Sequence, residues 1–443
     1  MPTRRNFLGQ SAAFLALSPA LTPDSAFAGA GLVPDAPGDQ SAALQQALED
    51  ATAAGRALRL PPGTFRVGDL WLPEGAVLAG APGTVLQAVG KAPILTIDGA
   101  GDGASAPRVT GLTFRGTDAV SETGLVEVTD CPALLLEHCR FTGTGGRGLV
   151  LLRAGGQVLG NRFDGCRGAA IAALEATGLR VEGNLIEACD NLGIYVARET
   201  PGPDGSIIRG NRIRTIRWGE GGDGPNGNGI NVFRAEGVIV AGNVIDDCAF
   251  SAIRLNATRN AIVRGNLCSR CQEVAIFSEF GFSGSVIADN IIDGAATGIS
   301  ITNFDSGGHL ATCSGNIVRN ILERSPTNPE TTPVGISAEA DTLLSGNLVE
   351  NVPGVGLALG WGPYLRNVSA TGNVLRDCRI GIGVSVVEGV GATLVAENLV
   401  DVPVGGDGIA GMEWDQVVAR DLVGQAGAYP FLTLTGNRVE AGG

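Results

Sequence analysis

The sequence predicts an all-β protein, a single-stranded right-handed parallel β-helix of about 13 coils with a short N-terminal capping helix. Three observations predict this fold. A Gly-Asn doublet recurs about every 25 residues, short β-branched runs alternate with turns, and glycine is abundant at 68 residues without a collagen period. A unit of that length cannot bury its own apolar face, so we expect stacked coils to share one core.

The repeat is centred on an asparagine that follows glycine or, in two coils, aspartate or glutamate. An apolar residue lies two positions before the glycine and another lies two positions after the asparagine. Leucine-rich repeats have a similar period, but their Leu-x-x-Leu-x-Leu pattern and helical segments are absent. We expect each asparagine to point inward at a turn and bond the neighbouring coils. The repeat asparagines are Asn161, Asn184, Asn211, Asn243, Asn266, Asn290, Asn316, Asn347, Asn373, Asn398 and Asn437.

Nine cysteines would raise the question of disulfides in an exported protein. Five of them fall five residues after a repeat asparagine, in a position that Ile, Val or Ala occupies in other coils. That pattern predicts inert thiols buried in an apolar column. The five are Cys166, Cys189, Cys248, Cys271 and Cys378.

The N-terminus has the pattern of an export signal. Arg4 and Arg5 precede Phe7, an apolar run follows, and Ala26-Phe27-Ala28 forms an A-x-A cleavage site. Paired arginines before Phe-Leu favour twin-arginine export over an ordinary secretory signal. We therefore predict a signal peptide over residues 1–28, the Tat translocon as a partner during export, and a periplasmic or secreted protein with no stable membrane span.

Two further regions follow the signal: an N-terminal cap with a helix over residues 29–60, and the β-helix over residues 61–443. The helix is expected over Asp39–Ala54, with its apolar face at Leu44, Ala47, Leu48 and Ala51. A net charge of −14 argues against nucleic acid as a partner, because phosphate binding needs a basic surface.

The segment from Gly38 to Gly83 resembles the N-terminal cap of pectate-lyase-like proteins. It contains Asp-Gln-Ser-x-x-Leu-Gln-x-Ala, then Leu-Pro-Pro-Gly-x-Phe and Leu-Pro-x-Gly-x-x-Leu-x-Gly. The signal joined to the Gly-Asn repeat resembles a family of twin-arginine-translocated repeat proteins, whose coils look like those of alginate epimerases and other sugar enzymes. The resemblance implies the fold and a polysaccharide or oligosaccharide partner, but it carries over no catalytic motif.

Strand alternation locates a candidate site. In the Gly-Ile-x-apolar strand, the residues two and four positions after the glycine face outward. The columns are small or apolar at both ends and polar, aromatic and charged in the middle, as expected of a sugar-binding groove. The predicted substrate-binding residues are Tyr195, Asn231, Phe233, Asn256 and Phe277 in these columns, with Asn303 and Trp361 from adjacent insertions.

The same face supplies candidate catalytic residues. Glu279 and Glu339 lie two coils apart, about 10 Å between backbones, so their carboxyl groups could approach the ~6.5–9.5 Å gap of an inverting glycosidase. Arg254 could instead neutralise a uronate carboxylate or take its α-proton. Asp305 and His309, in the insertion over residues 303–309, complete the predicted catalytic set.

A second insertion, Arg217 to Gly229, contains Glu220, Asp223 and Asn226. These side chains make a Ca²⁺ site conceivable, although their spacing matches no calcium-binding motif. The sequence indicates no other cofactor and no metal centre. It predicts a carbohydrate-active protein, a lyase, epimerase or hydrolase, acting on an extracytoplasmic polysaccharide. The alternative is a non-catalytic glycan-binding or cell-envelope scaffold on the same fold.

Overall fold

The computed structural model describes residues 26–27, 31–91, 93–99, 106–117, 120–219, 221 and 224–441. There the chain forms a right-handed parallel β-solenoid of about 13 turns, as predicted. Each coil gives one strand to each of three faces, which we call sheet 1, sheet 2 and sheet 3. A coil runs from sheet 2 through the Gly-Asn corner to sheet 3, then to sheet 1. Nearly all of the predicted signal peptide lies outside the described residues.

Sheet 2 holds the strands that precede the Gly-Asn corner, and sheet 3 those that follow it. The sheet 2 strands are Ala26–Phe27, Ala57–Leu60, Val77–Gly80, Arg108–Thr110, Leu134–Glu137, Gly156–Leu159, Arg180–Glu182, Ile207–Arg209, Ile239–Ala241, Arg259–Arg264, Ser283–Ala288, His309–Ser314, Thr342–Ser345, Val368–Thr371, Thr393–Ala396 and Leu432–Thr435. The strands confined to sheet 3 are Gly63–Val67, Thr84–Ala88, Thr113–Arg115, Arg162–Cys166, Leu185–Cys189, Arg212–Ile216, Val244–Cys248, Ile317–Ile321, Leu399–Val402 and Arg438–Ala441.

Sheet 1 completes each coil, and some strands run unbroken from sheet 3 around the corner into it. The strands confined to sheet 1 are Leu70–Trp71, Leu95–Asp98, Val120–Thr129, Ala169–Leu174, Leu192–Pro203, Asn228–Glu236, Ile253–Asn256, Val334–Ala338, Asp407–Glu413 and Gln416–Ala419. The continuous strands are Arg140–Leu152, Leu267–Glu279, Ile291–Ile301, Leu348–Leu359 and Val374–Ser385.

The repeat asparagines form the predicted ladder. Asn184 is typical: its Oδ1 accepts from the Asn161 backbone N–H at 2.8 Å and from Asn161 Nδ2 at 3.1 Å. Its Nδ2 donates to Asn211 Oδ1 at 2.9 Å and to the Val158 carbonyl at 3.0 Å. The pattern continues to Asn437. Gly183, with φ of +65°, turns the chain so that the side chain enters the core.

The ladder replaces backbone pairing where the coil turns. Cys139 occupies the same position one coil before Asn161, and its N–H donates to Asn161 Oδ1 at 2.9 Å. All nine cysteines are buried, as the shared apolar position predicts for the five that follow a repeat asparagine. Burial raises the pKa of the Cys139 and Cys313 thiols to about 12, so both stay protonated and unreactive.

Both ends of the described solenoid carry extra elements. An α-helix, Ser41–Ala53, buries Leu44, Ala47, Leu48 and Ala51 against the first coil, which confirms the predicted apolar face. At the other end Gln416–Ala419 pairs antiparallel with Asp407–Glu413, so the last parallel strand of sheet 1 has a partner on its outer edge. No helix in the described part of the chain has both the length and the hydropathy of a membrane span.

Sheet 1 positions the candidate site. Its register aligns the first predicted outward column coil by coil, from Ala172 through Arg254 and Phe277 to Gly383. Phe233, Asn256 and Glu279 align in the second column. The side chains that alternate with these columns, such as Ile276 and Ile299, are fully buried in the core.

Candidate functional site

A groove of about 890 Å³ lies over the outer face of sheet 1, in the C-terminal half of the solenoid. Its floor is the first outward column, in which the large ring of Phe277 is followed by small residues. Ser337 Oγ donates to Ser300 Oγ at 3.1 Å, which ties two coils together across the floor. The side chains of the floor become smaller towards Ala358 and Gly383, so the groove stays open towards its C-terminal end.

One wall is formed by residues 322–333, which we call the strap. This segment leaves sheet 3 after Ile321 and runs back along the solenoid before rejoining sheet 1 at Val334. Thr327 Oγ1 donates to the Ala249 carbonyl at 2.7 Å, and Asn328 Nδ2 donates to Glu273 Oε1 at 3.0 Å. Ser325 Oγ donates to the Gln272 carbonyl. The strap is therefore bonded to two earlier coils.

An aromatic pair borders the C-terminal end of the groove. The rings of Trp361 and Trp414 meet edge to face, with centroids 5.6 Å apart and an interplanar angle of 77°. Gly362 makes this contact possible, because a Cβ at that position would lie 2.4 Å from the Trp414 ring. Both indoles are more than 40% exposed, so each presents a ring face or edge to a ligand.

Glu339 is a buried carboxyl group that faces the groove, 7% exposed, directly after the strand Val334–Ala338. Its Oε2 accepts from the Phe304 backbone N–H at 2.7 Å. Burial, helped by the negative charge of Asp305, raises the pKa of Glu339 to about 7, although the hydrogen bond from Phe304 opposes the shift. A carboxyl group with this pKa can donate or accept a proton near neutral pH.

The insertion over residues 303–309 contributes Asn303 to the edge of the groove. Asn303 lines the groove, and its Oδ1 accepts from the Phe280 N–H at 3.1 Å. Asp305 is exposed in the 3₁₀ turn Phe304–Ser306. His309 begins a sheet 2 strand, and its Nδ1 lies 2.7 Å from the Gly307 carbonyl, which requires the proton to be on Nδ1. The structure thus brings Asn303, Asp305 and Glu339 together and places His309 around the corner from them.

Arg254 and Glu279 form a bidentate ion pair outside the groove lining. Arg254 Nε donates to Glu279 Oε1 at 2.6 Å, and Nη2 donates to Oε2 at 3.1 Å. Alternation predicts an exposed pair, but Arg254 is 8% exposed and Glu279 only 2%. The Gly-rich insertion closes over Arg254, whose Nη1 donates to the Gly224 carbonyl at 3.0 Å. Desolvation raises the pKa of Glu279 despite the guanidinium beside it.

The remaining predicted residues lie N-terminal to the groove. Asn256 Nδ2 donates to Glu279 Oε1 at 2.9 Å, and Arg234 stacks on the Phe233 ring at 4.6 Å. Asn231 is buried, and Tyr195 packs half-buried against a small apolar cluster. Of the predicted substrate-binding residues, Phe277, Asn303 and Trp361 therefore line the groove, and the other four do not.

Sequence reasoning missed the strap, Trp414, Asp407 and Arg420, all of which line the groove. Arg420 Nη1 donates to Asp407 Oδ1 at 3.2 Å. The spacing of the repeat asparagines carried a signal for the strap and for the segment that holds Asp407, Trp414 and Arg420. The step from Asn316 to Asn347 is 31 residues and that from Asn398 to Asn437 is 39, so each contains an insertion that the 25-residue coil does not need.

The conceivable calcium site cannot be traced fully, because Glu220 and Asp223 lie outside the described residues. Asn226 Nδ2 donates to the Gly221 carbonyl at 3.0 Å. Among the residues that the structure describes, no group of three or more His, Cys, Asp or Glu side chains is placed to hold a metal ion.

The family model of the right-handed β-helix region matches residues 97–224 and 201–318, which together make up half of the chain. The chain belongs to the right-handed β-helix family. No curated protein matches the sequence. A periplasmic alginate epimerase, AlgG, is similar in structure, with 10% identity, a TM-score of 0.50, and 86% of this chain and 85% of that chain covered.

Two further β-helix structures are similar at lower TM-scores. The catalytic domain of a GH87 α-1,3-glucanase has 15% identity and a TM-score of 0.43, covering 92% of this chain and 70% of that one. The A-module of the Azotobacter vinelandii mannuronan C-5 epimerase AlgE4 has 15% identity and a TM-score of 0.33, covering 93% and 94%. At these identities the likeness is one of fold.

Proposed function

We propose that this β-helix protein hydrolyses a neutral extracytoplasmic polysaccharide that lies along the groove, with Glu339 as the proton donor. The observation that carries the proposal is the placement of Glu339, a buried carboxyl group with a pKa of about 7, on the groove of sheet 1. The structures similar to this chain include an alginate epimerase and an α-1,3-glucanase, so the same fold supports enzymes that act on polysaccharides in other proteins.

Glu339 and its neighbour Asp305 differ in environment. Glu339 is buried and keeps its proton up to about pH 7, whereas Asp305 is exposed and its negative charge acts on Glu339. Glycoside hydrolysis uses such a pair: the acid protonates the leaving oxygen, and the ionised carboxylate activates water or stabilises the developing positive charge. We assign the first role to Glu339 and the second to Asp305.

The charge of the groove favours a neutral glycan. Its lining contains Glu273, Glu330, Glu339, Asp407 and Asp415, against two arginines. One of those, Arg420, is already bonded to Asp407. A polyuronate would bring a carboxylate on every sugar into this field and would be repelled, whereas hydroxyl groups bond readily to carboxylates, serines and threonines.

The same reasoning separates hydrolysis from epimerisation and elimination. Both of those reactions remove the proton next to a uronate carboxylate, which needs a cation to neutralise it. Arg254 was the candidate for that role, but its guanidinium is occupied by Glu279 and it does not line the groove. Hydrolysis needs no such cation, and the five carboxyl groups of the lining outnumber its two arginines, so the groove favours hydrolysis.

The test is a product assay with the mature protein on neutral and uronate polysaccharides, comparing wild type, Glu339→Gln and Glu388→Gln. The Glu339→Gln variant keeps a side-chain oxygen that can accept from the Phe304 N–H, so the fold is retained while the donated proton is lost. Glu388 is exposed and does not line the groove, which makes it the matched control. We expect hydrolysis of a neutral glycan, lost in Glu339→Gln and unchanged in Glu388→Gln.

The pH dependence of the activity tests the role of Glu339 as proton donor. Because Glu339 must carry a proton, kcat/KM should fall as pH rises through about 7. Unsaturated or epimerised uronate products would overturn the proposal, as would an active Glu339→Gln variant with an unchanged profile.

The exposed Trp361 and Trp414 favour a second candidate function, glycan binding without cleavage. In that case Trp361→Ala would abolish binding on a glycan array, while Glu339→Gln and Glu279→Gln would bind as well as wild type and no products would form. In this alternative the groove still binds a glycan, but no bond of the glycan is cleaved.

The proposal also includes export through the Tat translocon to the periplasm or beyond, where such polysaccharides are found. Replacing Arg4 and Arg5 with lysine should retain the protein in the cytoplasm, as measured by fractionation.

We also propose that residues 217–229 bind Ca²⁺. An unchanged melting temperature after chelation would argue against this site.

A further inference from the structure

The outer face of sheet 3 carries a continuous row of exposed aliphatic side chains. Each follows a ladder asparagine directly, and parallel pairing places each beside the next. Their exposed fractions are 37–50%, although an outward column of a solenoid is expected to be polar. The row spans about 24 Å at ~4.8 Å per coil. We call it the aliphatic stripe: Leu267, Ile291, Ile317, Leu348, Val374 and Leu399.

The stripe is bounded along the solenoid axis. Arg438 follows Leu399 in register at its C-terminal end. At its N-terminal end Val244, which is half-buried, separates Leu267 from Arg212. An apolar row that starts and stops between arginines is a defined patch, and patches of this kind on a soluble protein mark interaction surfaces.

A charged column runs beside the stripe, two residues further along each strand. Its four central members alternate in sign: Asp293, Arg319, Glu350 and Arg376, paired in register, with Ser269 before them and Asp401 after them. Arg319 bonds Asp293 at 2.8 Å, and Arg376 bonds Glu350 at 2.8 Å. All four side chains are 30–69% exposed, so each can also reach across an interface.

The stripe and the charged column share one midpoint. The six aliphatic residues are centred between Ile317 and Leu348, and the four central charges are centred between Arg319 and Glu350, on the same two coils. At the ends of the charged column Ser269 would face Asp401, so no like charges would meet there. A two-fold axis at that midpoint, parallel to the strands, would place Arg319 opposite Glu350 and Asp293 opposite Arg376. A row that alternates in sign over an even number of coils becomes its own complement under this rotation.

We infer that sheet 3 binds a second copy of this chain, antiparallel, through the aliphatic stripe and the charged column. The rotation sets Ile317 against Leu348, Ile291 against Val374 and Leu267 against Leu399, so apolar residues meet apolar residues along the whole length. Self-complementarity of both rows identifies a second copy as the occupant, because a different partner would impose no such symmetry.

The area is sufficient for a dimer. The face of sheet 3 that carries both rows is about 30 Å long with its side chains and about 17 Å wide, the length of a five-residue strand such as Ile317–Ile321. Over two copies this gives about 1,000 Å², which meets the ~1,000 Å² expected of a specific interface. The groove lies on sheet 1, so both copies keep it open. The dimer does not depend on the proposed function.

Sedimentation equilibrium of the mature chain tests the inference. We expect a reversible dimer, with a dissociation constant at least about 100-fold higher in Ile317→Lys and Leu348→Lys, since each substitution occurs twice across the axis. Val89 is also aliphatic and 40% exposed, but lies far from the stripe, so Val89→Lys is the matched control and should dimerise like wild type. Unchanged far-UV circular dichroism spectra show that the lysine variants remain folded.

Charge reversal tests the symmetry itself. Arg319→Glu places like charges opposite each other at both sides of the axis and should weaken the dimer. Reversing all four charges, with Asp293→Arg, Arg319→Glu, Glu350→Arg and Arg376→Glu, preserves the alternation and should restore it. A wild type that stays monomeric at its highest soluble concentration, or a dimer that survives Ile317→Lys and Leu348→Lys, overturns the inference.

Discussion

Replacing Asn316 with alanine removes five hydrogen bonds from the middle of the ladder, four to nitrogen or oxygen partners and one, at 3.3 Å, to Cys313 Sγ. Asn316 Oδ1 accepts from the Asn290 backbone N–H and from Asn290 Nδ2, each at 3.0 Å. Its Nδ2 donates to the Ile287 carbonyl at 3.1 Å and to Asn347 Oδ1 at 2.9 Å. The Asn290 amide and the Ile287 carbonyl lose a partner in a site closed to water. At 1–3 kcal/mol for each such group, we expect Asn316→Ala to lower the free energy of unfolding by about 4 kcal/mol.

Urea unfolding followed by circular dichroism measures this loss from the midpoint and slope. Asn437→Ala is the control, because Asn437 ends the ladder and is only half-buried. Water can replace its bonds to Asn398, so we expect a loss of about 1 kcal/mol. An equal loss at both positions, or a loss below 1 kcal/mol for Asn316→Ala, would refute the argument that buried amide pairing stabilises the corner.

Three further outcomes are expected. Folded Glu339 keeps its proton up to about pH 7, whereas the unfolded side chain releases it near 4.5, so wild-type stability should fall by about 3 kcal/mol as pH rises through that window. Urea titrations should show no such fall in Glu339→Gln. Trp414→Ala should weaken glycan affinity about 10-fold in calorimetry, and Trp71→Ala, equally exposed but outside the groove, should not. Arg254→Met should cost about 3–5 kcal/mol of stability by leaving Glu279 buried without its cation, and adding Glu279→Met should recover most of it; equal melting temperatures for the two variants would contradict this.

The coil architecture was predictable because one short-range pattern repeats it. Gly-Asn marks a corner where the backbone turns with positive φ, and strand alternation then decides which side chains face inward. Ile276 and Phe277 illustrate the alternation: Ile276 is buried and Phe277 faces outward, as the alternation predicts. The buried cysteine column followed from the same register.

The sequence did not predict which segments cover the outer face of sheet 1, because the insertions do not follow the period of the coil. Alternation places Arg254 and Glu279 on the outside, yet the segment containing Gly224 covers Arg254. The strap and Trp414 reach the groove from insertions whose paths depend on tertiary contacts. Repeat spacing reveals that such segments exist but not where they go.

The strap also changes how this solenoid is expected to unfold. In a repeat protein each coil normally contacts its neighbours alone, so coils can separate one after another from an end. Thr327, Ser325 and Asn328 bond residues that lie 53 to 78 positions earlier in the chain. Those long-range bonds oblige the coils that carry the groove to open as one cooperative unit, while the coils towards either end remain free to fray. Hydrogen exchange would then report one shared opening energy across the groove.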